Sequence, residues 1–438
     1  MITFIYEWIV ALTKGWGSGD REAFLILVSG LWILWMYVFI ATRFYKPWGA
    51  RFNSTVSVIV PVYKEDWNTF LAVMASITDS RYPISEILVI GDVREPQFVR
   101  MCERHWATDR LIRVLEAPAG KRAAIRMGVE AATSEIVMVI ESDTFAGPES
   151  IGELLRPFAD LMIGGVVGKQ LIYEPHSITA VLNNWAEAIK YAFIIPFQSM
   201  TRSVTVLGGR CVAYRRAAVL PLMESLTTEK FLGFPCQAGD DGRLTSLLMA
   251  TGWGAVYQST ADFRTVSPET YFGLLMQRLR WFRNSCRRTL RAFFCIPEKH
   301  VPNADRFWVY KRPRALYQMV RTWLGSVIMI MLWYLFIKSV WMGYYFHWNT
   351  WFASLGVVPV WWIVVRVLGI SILGAVITRA IKSYPIFQTN SRWWLLALPL
   401  FPLHMSIMMV ALRLIAIPTM WKSGWLSRKY SGKGGFQN

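Results

Sequence analysis

Two clusters of polar residues in the sequence have the composition of a catalytic site. Two adjacent acids, Asp240 and Asp241, lie in the segment GDDGRLT. Further along the chain, QRLRW (277–281) carries a glutamine, an arginine and a tryptophan at i, i+3 and i+4, a spacing that places all three on one face of a helix. A carboxylate beside such a face can act as a general base. An acid pair alone is more often a helix cap or part of a turn.

Further polar residues follow three apolar runs that are predicted to be β-strands. The runs are VSVIVPV (56–62), EILVI (86–90) and IVMVI (136–140). Because ligands of open α/β sheets bind beyond the carboxyl ends of the strands, the polar residues after these runs are expected to meet at one rim. They are Tyr63, Glu65, Asp92, Glu141 and Asp143. Any one acid after a strand could instead cap the next helix or belong to a turn.

The spacing of Glu141 and Asp143 is typical of a divalent-cation site. Their hard oxygen ligands suit Mg²⁺ or Mn²⁺ held against a diphosphate, and Asp143 is the stronger candidate. Lys121 and Arg122 begin a predicted helix after a glycine. They could pair with phosphates or be ordinary solvated charges.

The elements expected to position these residues form an α/β domain. Between about residues 54 and 260, short β-branched runs alternate with amphipathic stretches, and VGKQLIY and VLGGRCVAY are two further predicted strands. This alternation indicates a largely parallel sheet covered by helices.

The composition of the chain indicates that this domain is associated with a membrane. Of 438 residues, 54% are hydrophobic, and the chain contains 22 Trp and 17 Tyr, which favour bilayer interfaces. The net charge of +18 suits the anionic inner face of a membrane. No nucleic-acid-binding module is recognisable, which argues against nucleic acid as a partner. The five cysteines include no CxxC pair, so we expect reduced thiols without zinc or a disulfide framework.

The N-terminal region predicts a membrane anchor. Residues 1–13 are apolar but too short to span a bilayer and are interpreted as an interfacial helix, whereas 23–41 has the length and composition of a transmembrane helix. Basic residues follow it immediately, namely Arg43, Lys46 and Arg51. The positive-inside rule therefore places the α/β domain in the cytosol and the N-terminus outside.

The C-terminal half predicts more membrane contact. Residues 270–295 form a basic amphipathic helix of the kind that lies in an interface. Residues 322–346 and 357–378 can each span a bilayer, and their connector carries no Asp, Glu, Lys or Arg.

The last apolar run, 393–418, is flanked on both sides by basic residues. Because the positive-inside rule then places both ends in the cytosol, we expect a re-entrant or interfacial hairpin. Arg321, Arg366 and Arg413 lie within or near the ends of apolar segments. They are candidates for the pathway of a polar substrate, or they extend to the membrane surface.

Together these motifs resemble the membrane-embedded family-2 glycosyltransferases, a group that includes hyaluronan, chitin, cellulose and rhizobial chitooligosaccharide synthases. The resemblance runs from about residue 55 to 295 and resumes near the C-terminus. The forms GDD and GGRCVAYRR are closer to hyaluronan and chitooligosaccharide synthases than to cellulose synthases. The segments that carry it are IVPVYKE, GKR, IESDT, LGGRC, YRR, GDDGRLT, QRLRW and WLSRK.

The resemblance implies a GT-A fold and a role for each matching residue. Asp241 would be the general base with Asp240 in support, and Asp143 would hold Mg²⁺ or Mn²⁺. The residues implied in nucleotide, sugar or acceptor binding are Tyr63, Glu65, Asp92, Lys121, Arg122, Glu141, Gly209, Arg210, Cys211, Gln277, Arg280, Trp281, Trp425 and Arg428. The sequence departs from the family pattern at Glu141, usually an Asp, and at Leu426, where WLSR replaces WGTR and its glycine.

The membrane pattern and the resemblance divide the chain into five parts. These are an N-terminal interfacial segment and transmembrane helix (1–50), a GT-A catalytic domain (51–270), amphipathic interfacial helices with QxxRW (271–314), a transmembrane channel region (315–421) and a cytosolic tail (422–438).

The function implied is that of an inverting, processive β-glycosyltransferase in the plasma membrane, with its catalytic domain in the cytosol. It would polymerise UDP-GlcNAc and UDP-GlcA, as hyaluronan synthases do, and extrude the growing polysaccharide through the bilayer. The alternatives are a chitin-type or other single-sugar β-glycan synthase, or transfer of one sugar to a lipid carrier. A transporter or scaffold with a degenerate transferase domain is disfavoured because the acidic motifs and QxxRW are intact.

Overall fold

The computed structural model describes residues 18–298, most positions from 300 to 337, and 394–423. Several of the sequence predictions concern parts of the chain that lie outside these residues. They are the interfacial helix at 1–13, most of the span at 322–346, the span at 357–378, Arg366, and the C-terminal motif with Trp425 and Arg428.

A mixed β-sheet forms the centre of the domain. Eight of the described strands pair in the order β3-β2-β1-β4-β7-β6-β10-β5, and β8 and β9 form a separate hairpin. The strands are β1 (Val56–Val62), β2 (Glu86–Asp92), β3 (Ile112–Ala117), β4 (Ile136–Ile140), β5 (Thr144–Ala146), β6 (Ile163–Ile172), β7 (Cys211–Arg215), β8 (Lys230–Phe231), β9 (Phe234–Pro235) and β10 (Gly254–Thr265).

The direction of the strands differs in part from the prediction of a largely parallel sheet. Strands β3, β2, β1 and β4 are parallel, but β7 runs antiparallel between β4 and β6, and β5 runs antiparallel at the edge beside β10. Buried apolar runs indicate that a strand is covered on both faces but do not fix its direction. The run VLGGRCVAY is a strand only from Cys211 onward, because its glycines lie in the preceding loop.

Both faces of the sheet are covered, as the continuous apolar runs predict. Within β1, Ile59 belongs to one hydrophobic core, whereas Val58 and Val60 belong to the other. The described helices are α1 (Ser18–Thr42), α2 (Trp67–Thr78), α3 (Pro96–His105), α4 (Lys121–Ala131), α5 (Ser150–Leu155), α6 (Ile178–Ile189), α7 (Ile195–Ser199), α8 (Arg216–Val219), α9 (Met223–Thr227), α10 (Asp240–Ala250), α11 (Tyr271–Phe293), α12 (313–328), α13 (Trp394–Ser406) and α14 (Leu412–Ala416).

Two of these helix pairs are joined by π turns. Lys190–Ile194 connects α6 to α7, and Ile407–Ala411 connects α13 to α14. The segment 394–416 is therefore helical throughout. The hairpin expected there is not found in these residues. Each proline inside it removes only one backbone donor, so the chain continues past both of them without reversing.

The C-terminal helices pack on the catalytic domain. Met408 and Leu412 contact Leu279 and Cys286 of α11. Arg413 donates hydrogen bonds to the Thr322 carbonyl and the Ser326 hydroxyl of α12, which ties these helices together. Within the described parts of the chain, no helix combines the length and the apolar character needed to cross a membrane.

Candidate active site

The acid pair lies at the start of α10. Gly239 precedes it with a φ of 84°, in the left-handed region that glycine adopts readily. A Cβ atom here would lie 2.7 Å from Cγ of Asn284 on α11, so the turn also requires glycine for space. Gly239 is therefore the cap, and Asp240 and Asp241 lie in the first turn of the helix, where its dipole favours negative charge.

Asp241 is half-buried, and its surroundings strengthen it as a base. One carboxylate oxygen accepts a hydrogen bond from the Gly242 N–H at 2.7 Å, and the other accepts one from the Gly209 N–H at 3.4 Å. Burial and then the negative charge of Asp240 raise the pKa of Asp241 above that of an ordinary aspartate. A carboxylate with a raised pKa accepts a proton more readily near neutral pH.

Lys121, at the start of α4, lies between carboxylates from two other elements. Its Nζ atom is 2.5 Å from Glu141 and 3.1 Å from Asp240. Burial alone would lower the pKa of Lys121, but the charges of Asp240 and Glu141 raise it above its usual value. Burial alone would raise the pKa of Asp240, but the charge and the hydrogen bond of Lys121 lower it. Asp240 therefore stays ionised beside Lys121, and this charge makes Asp241 the more basic of the pair.

This electrostatic arrangement predicts a specific pH dependence. If Asp241 is the base, the acid limb of kcat/KM for UDP release should lie above the usual aspartate pKa of about 3.9. The substitution Asp240→Asn removes the neighbouring negative charge, so the limb should move to lower pH. Full pH profiles of both proteins would measure the shift, and a limb that stays in place or moves to higher pH would contradict the assignment.

The ends of three parallel strands meet at one rim, as predicted. Tyr63 follows β1, Asp92 ends β2 and Asp143 lies just after β4, and all three line a cavity of about 130 Å³. Asp92 is only 5% exposed and accepts a hydrogen bond from the Gly120 N–H at 2.9 Å. This rim therefore carries an aromatic ring and two carboxylates from separate strands.

Arg94 is a member of this cavity that the sequence did not reveal. Its guanidinium donates to both carboxylate oxygens of Asp92, at 2.8 and 2.6 Å, and lies 4.3 Å from the centre of the Tyr63 ring. Burial would raise the pKa of Asp92, but the hydrogen bonds from Arg94 and the Gly120 N–H lower it. The one signal in the sequence is that Arg94 follows Asp92 by two residues, which is close enough for the arginine side chain to fold back onto the carboxylate.

A second, larger cavity of about 320 Å³ contains the acid pair and the QRLRW motif. It adjoins the first cavity, because several residues line both of them. The shared residues include Lys121, Glu141, Asp143, Gln277 and Arg280. The acid pair and the QRLRW motif thus line the same cavity, and cationic and acidic side chains lie where it adjoins the smaller one.

Two guanidinium groups lie beside the Trp281 ring in the larger cavity. Arg278 and Arg210 lie 4.6 and 5.2 Å from the ring centre. Glu187, which is fully buried, is 2.8 Å from Arg278, 3.6 Å from Arg210 and 3.1 Å from Lys190 at the π turn. The sequence predicted Arg210 and Trp281, but Glu187 was missed because its only signal is a single acid in an apolar helical pattern.

Three predicted site residues have other partners in the structure. Arg122 lines the larger cavity, but it is only 5% exposed, and its guanidinium is held by Glu229 at 2.8 Å and by two backbone carbonyls. Glu65 accepts a hydrogen bond from the Ser142 hydroxyl at 2.8 Å and fixes the turn between the acids of IESDT. Cys211 is fully buried in the sheet core and is not among the described residues that line either cavity.

The two acids of IESDT, Glu141 and Asp143, line both cavities. Glu141 is engaged by Lys121, and Asp143 accepts a hydrogen bond from the Thr144 hydroxyl at 3.5 Å. No cluster of three or more His, Cys, Asp or Glu side chains suited to a metal ion occurs in the part of the chain that the structure describes. A cation here would therefore need oxygen ligands from a bound molecule as well.

A family model described as "Glycosyltransferase like family 2" matches residues 53–284, and the chain belongs to this family. The match contains the strand ends, the acid pair and the QRLRW motif. The resemblance seen in the sequence motifs is thereby confirmed.

The relatives have the names that the motifs predicted. An N-acetylglucosaminyltransferase of Azorhizobium caulinodans is 31% identical over 246 residues, and a hyaluronan synthase of Streptococcus pyogenes is 28% identical over 260 residues. These alignments cover 54% and 56% of this chain and 61% of each relative. The chain thus matches less than two thirds of the length of either relative.

A solved structure supports the fold. The mannosyltransferase of Pyrobaculum calidifontis, determined in complex with GDP-Man and Mn²⁺, aligns with a TM-score of 0.54 and 18% sequence identity. The alignment covers 87% of this chain and 97% of that one. The predicted GT-A-like α/β fold is therefore confirmed, although its sheet is mixed.

Proposed function

We propose that the chain is an inverting, processive β-glycosyltransferase that polymerises UDP-activated sugars and passes the product across the plasma membrane. The observation that carries this proposal is the pair of adjoining cavities with a basic carboxylate, Asp241, in the larger one. A nucleotide sugar needs room for a nucleoside, a diphosphate and a sugar, and two adjoining cavities of this kind support the proposal that it binds across them.

The smaller cavity would bind the nucleotide. Tyr63 offers a ring on which uracil can stack, and Asp92 offers acceptor oxygens for the N–H groups of the nucleoside. Arg94 now occupies both groups, so it would have to move aside or stack on the other face of the base. Lys121, at the border of the cavities, would meet the diphosphate.

The residues at the same border fit a divalent cation. Mg²⁺ is usually held by one or two carboxylates together with substrate phosphates, and Asp143 is the acid best placed for this because Lys121 engages Glu141. When bound, Mg²⁺ or Mn²⁺ would offset the charge that develops on the departing diphosphate. Lys121 would add to this effect from the opposite side of the border.

Asp241 would act as the general base. It takes the proton of an acceptor hydroxyl while the acceptor oxygen bonds to the anomeric carbon and the bond from that carbon to the UDP oxygen breaks. UDP departs with the bonding electron pair. A single displacement on the face opposite the leaving group inverts an α-linked donor into a β-linked product.

The acceptor end of the glycan would lie on the QRLRW face. Trp281 presents a ring suited to stacking on a sugar, and two guanidinium groups hold that ring. The Gln277 Oε1 atom is buried and has no hydrogen-bond partner among the described residues. A sugar hydroxyl or N-acetyl N–H could satisfy it, so we infer that Gln277 contacts the acceptor.

The charge around Trp281 favours a hyaluronan-like product over a neutral glycan. Lys190, Arg210 and Arg278 surround a single buried acid, Glu187. The surplus positive charge suits a carboxylate-bearing sugar such as glucuronate. We therefore place UDP-GlcNAc with UDP-GlcA first, and a chitin-type or other single-sugar glycan second.

The sequence beyond the catalytic domain supports a membrane location. The runs at 322–346 and 357–378, which lie largely outside the described residues, have the lengths expected of spanning helices. The uncharged run at 23–41 has the basic C-terminal flank that follows a span, although no described helix, α1 included, has both the length and the apolar character to cross a membrane. We propose that these segments anchor the enzyme and form the exit path. Trp425 and Arg428 of the tail would then cover the nucleotide from the cytosolic side.

A donor assay on the full-length protein tests this function. We expect the protein in lipid nanodiscs, with Mg²⁺ or Mn²⁺, to release UDP continuously only when UDP-GlcNAc and UDP-GlcA are both present, and to make a long polymer visible on a gel. UDP-Glc and each single donor serve as comparisons. Sustained turnover with UDP-GlcNAc or UDP-Glc alone would support the single-sugar alternative, and UDP release without polymer would support single transfer to a lipid carrier.

A further inference from the structure

The C-terminal segment 417–423 lies against the loop that leads into the acid pair. The Ser423 hydroxyl oxygen accepts a hydrogen bond from the Gln237 N–H at 2.6 Å. The rings of Phe234 and Trp421 are 5.4 Å apart. Residues far apart in the sequence therefore meet a few residues before the proposed base.

Arg287 of α11 joins the same two segments. Its guanidinium donates to the Met420 carbonyl at 2.6 Å and to the Ala238 carbonyl at 3.3 Å, and the residue is only 3% exposed. Arg122 donates to the same Ala238 carbonyl at 2.9 Å. The backbone two residues before Asp240 is thus clamped by two arginines, one of which also holds the C-terminal segment.

The same helix also fixes the other side of this turn. Asn284 packs directly against Gly239, and Arg287 donates a hydrogen bond to the Asn284 side-chain oxygen. Because Gly239 has no side chain of its own, the position of this turn depends on the groups packed around it. Arg287 is thus hydrogen-bonded to the turn at Ala238, to Asn284 beside that turn and to Met420 of the C-terminal segment.

We propose that Arg287 is a positioning residue that sets the location of Asp241 by linking the Ala238–Gly239 turn to the segment 417–423. The inference rests on the proposed role of Asp241 as the base. Arg287 contacts the backbone ahead of the acid pair, so it acts on turnover through that turn. Removing it lets the turn relax, and displacement of a base by about 1 Å can cost about 100-fold in rate.

Four single variants and the double variant Arg287→Ala/Ser423→Ala test the link. Arg287→Ala removes both carbonyl contacts, Arg287→Lys retains the charge and can restore one of them, and Ser423→Ala loosens the segment from its other contact. Arg216→Ala is the matched control, because Arg216 also donates to two backbone carbonyls but does not line either cavity. Each full-length protein is assayed for kcat, KM for the donors, UDP affinity and Tm.

We expect Arg287→Ala to lower kcat by about 10- to 100-fold with UDP affinity within about two-fold of the wild type, and Arg287→Lys to recover part of the loss. Ser423→Ala should lower kcat less. The loss in the double variant should be smaller than the product of the single losses, because both side chains hold one segment. Arg216→Ala should retain the wild-type kcat.

Several results would overturn the inference. One is a wild-type kcat in Arg287→Ala, and another is single losses that simply multiply in the double variant. A fall in Tm and UDP affinity with unchanged kcat would also do so, because it would mean a structural role only. If Arg287→Ala does not fold, the milder Ser423→Ala and Arg287→Lys carry the same comparison. Failure of the wild type to release UDP would instead contradict the proposed function.

Discussion

Replacing Asp241 by asparagine is expected to reduce sugar transfer by about 10²- to 10⁴-fold, the usual contribution of a general base. Asparagine has nearly the same shape, and its one side-chain oxygen can still accept the shorter hydrogen bond, from the Gly242 N–H. Only the long hydrogen bond from the Gly209 N–H is lost, because the amide nitrogen takes the place of that oxygen. The turn should therefore keep its structure, and UDP affinity should be unchanged. UDP release and UDP binding, measured on the same preparation, separate the two effects.

Asp79→Asn provides the matched control for this experiment. Asp79 is an exposed carboxylate just after α2, and its substitution should leave transfer at the wild-type rate. If Asp241→Asn retained more than about a tenth of wild-type turnover while binding UDP normally, the base would have to be sought elsewhere. Asp240, ionised beside Lys121, would then be the first alternative.

The second large effect is expected for Lys121→Met. Lys121 is the cation between Glu141 and Asp240, and it also lies within electrostatic range of Asp241. Its loss would leave Asp240 and Asp241 close together without a cation between them and the partly exposed Glu141. The pair of Lys121 with Asp240 is buried, with side-chain exposures of 9% and 12%, and breaking a buried ion pair typically costs about 3 to 5 kcal/mol. We expect a marked fall in Tm together with loss of UDP release, because a diphosphate would also lose its nearest cation.

The sign of the pH dependence of stability distinguishes loss of the Lys121 charge from a general packing defect. Without Lys121 the pKa values of Asp240 and Asp241 in the folded state rise, so the loss of stability should be greatest where these acids are ionised and smaller at acidic pH. Lys121→Arg should recover much of the stability. Lys169→Met removes a cation paired with Asp262 on the surface, with 34% of the lysine side chain exposed, and should change Tm little. An equal loss of stability at every pH would contradict the explanation.

Much of the sheet and of the rim could be predicted from the sequence. The runs at 56–62 and 136–140 coincide with β1 and β4, because short apolar runs rich in β-branched residues favour strands that are buried on both faces. Acids placed directly after such runs must lie at the carboxyl ends of the strands. Asp92 and Asp143 could therefore be assigned to one cavity before any contact was known.

Other features depend on contacts that no local pattern encodes. Arg122 follows Lys121 directly, but on α4 its side chain is directed into the core toward Glu229, a partner more than 100 positions later. Glu187 and Arg94 gain their roles only from the side chains that surround them. The antiparallel direction of β7 is likewise a property of the assembled sheet and of the long connection from β6.

Strand β7 also affects the order in which the parts of the enzyme fold. Strands β1, β2 and β4 carry the proposed nucleotide residues and are complete early in the chain, whereas β6 and β10 belong to the half that leads to the QRLRW helix. β7 pairs with both β4 and β6, so it joins the two halves. Pairings between distant segments form slowly because loop closure must precede them. A growing chain would thus assemble its nucleotide rim before its base is held in place, and the complete site would be a late product of folding.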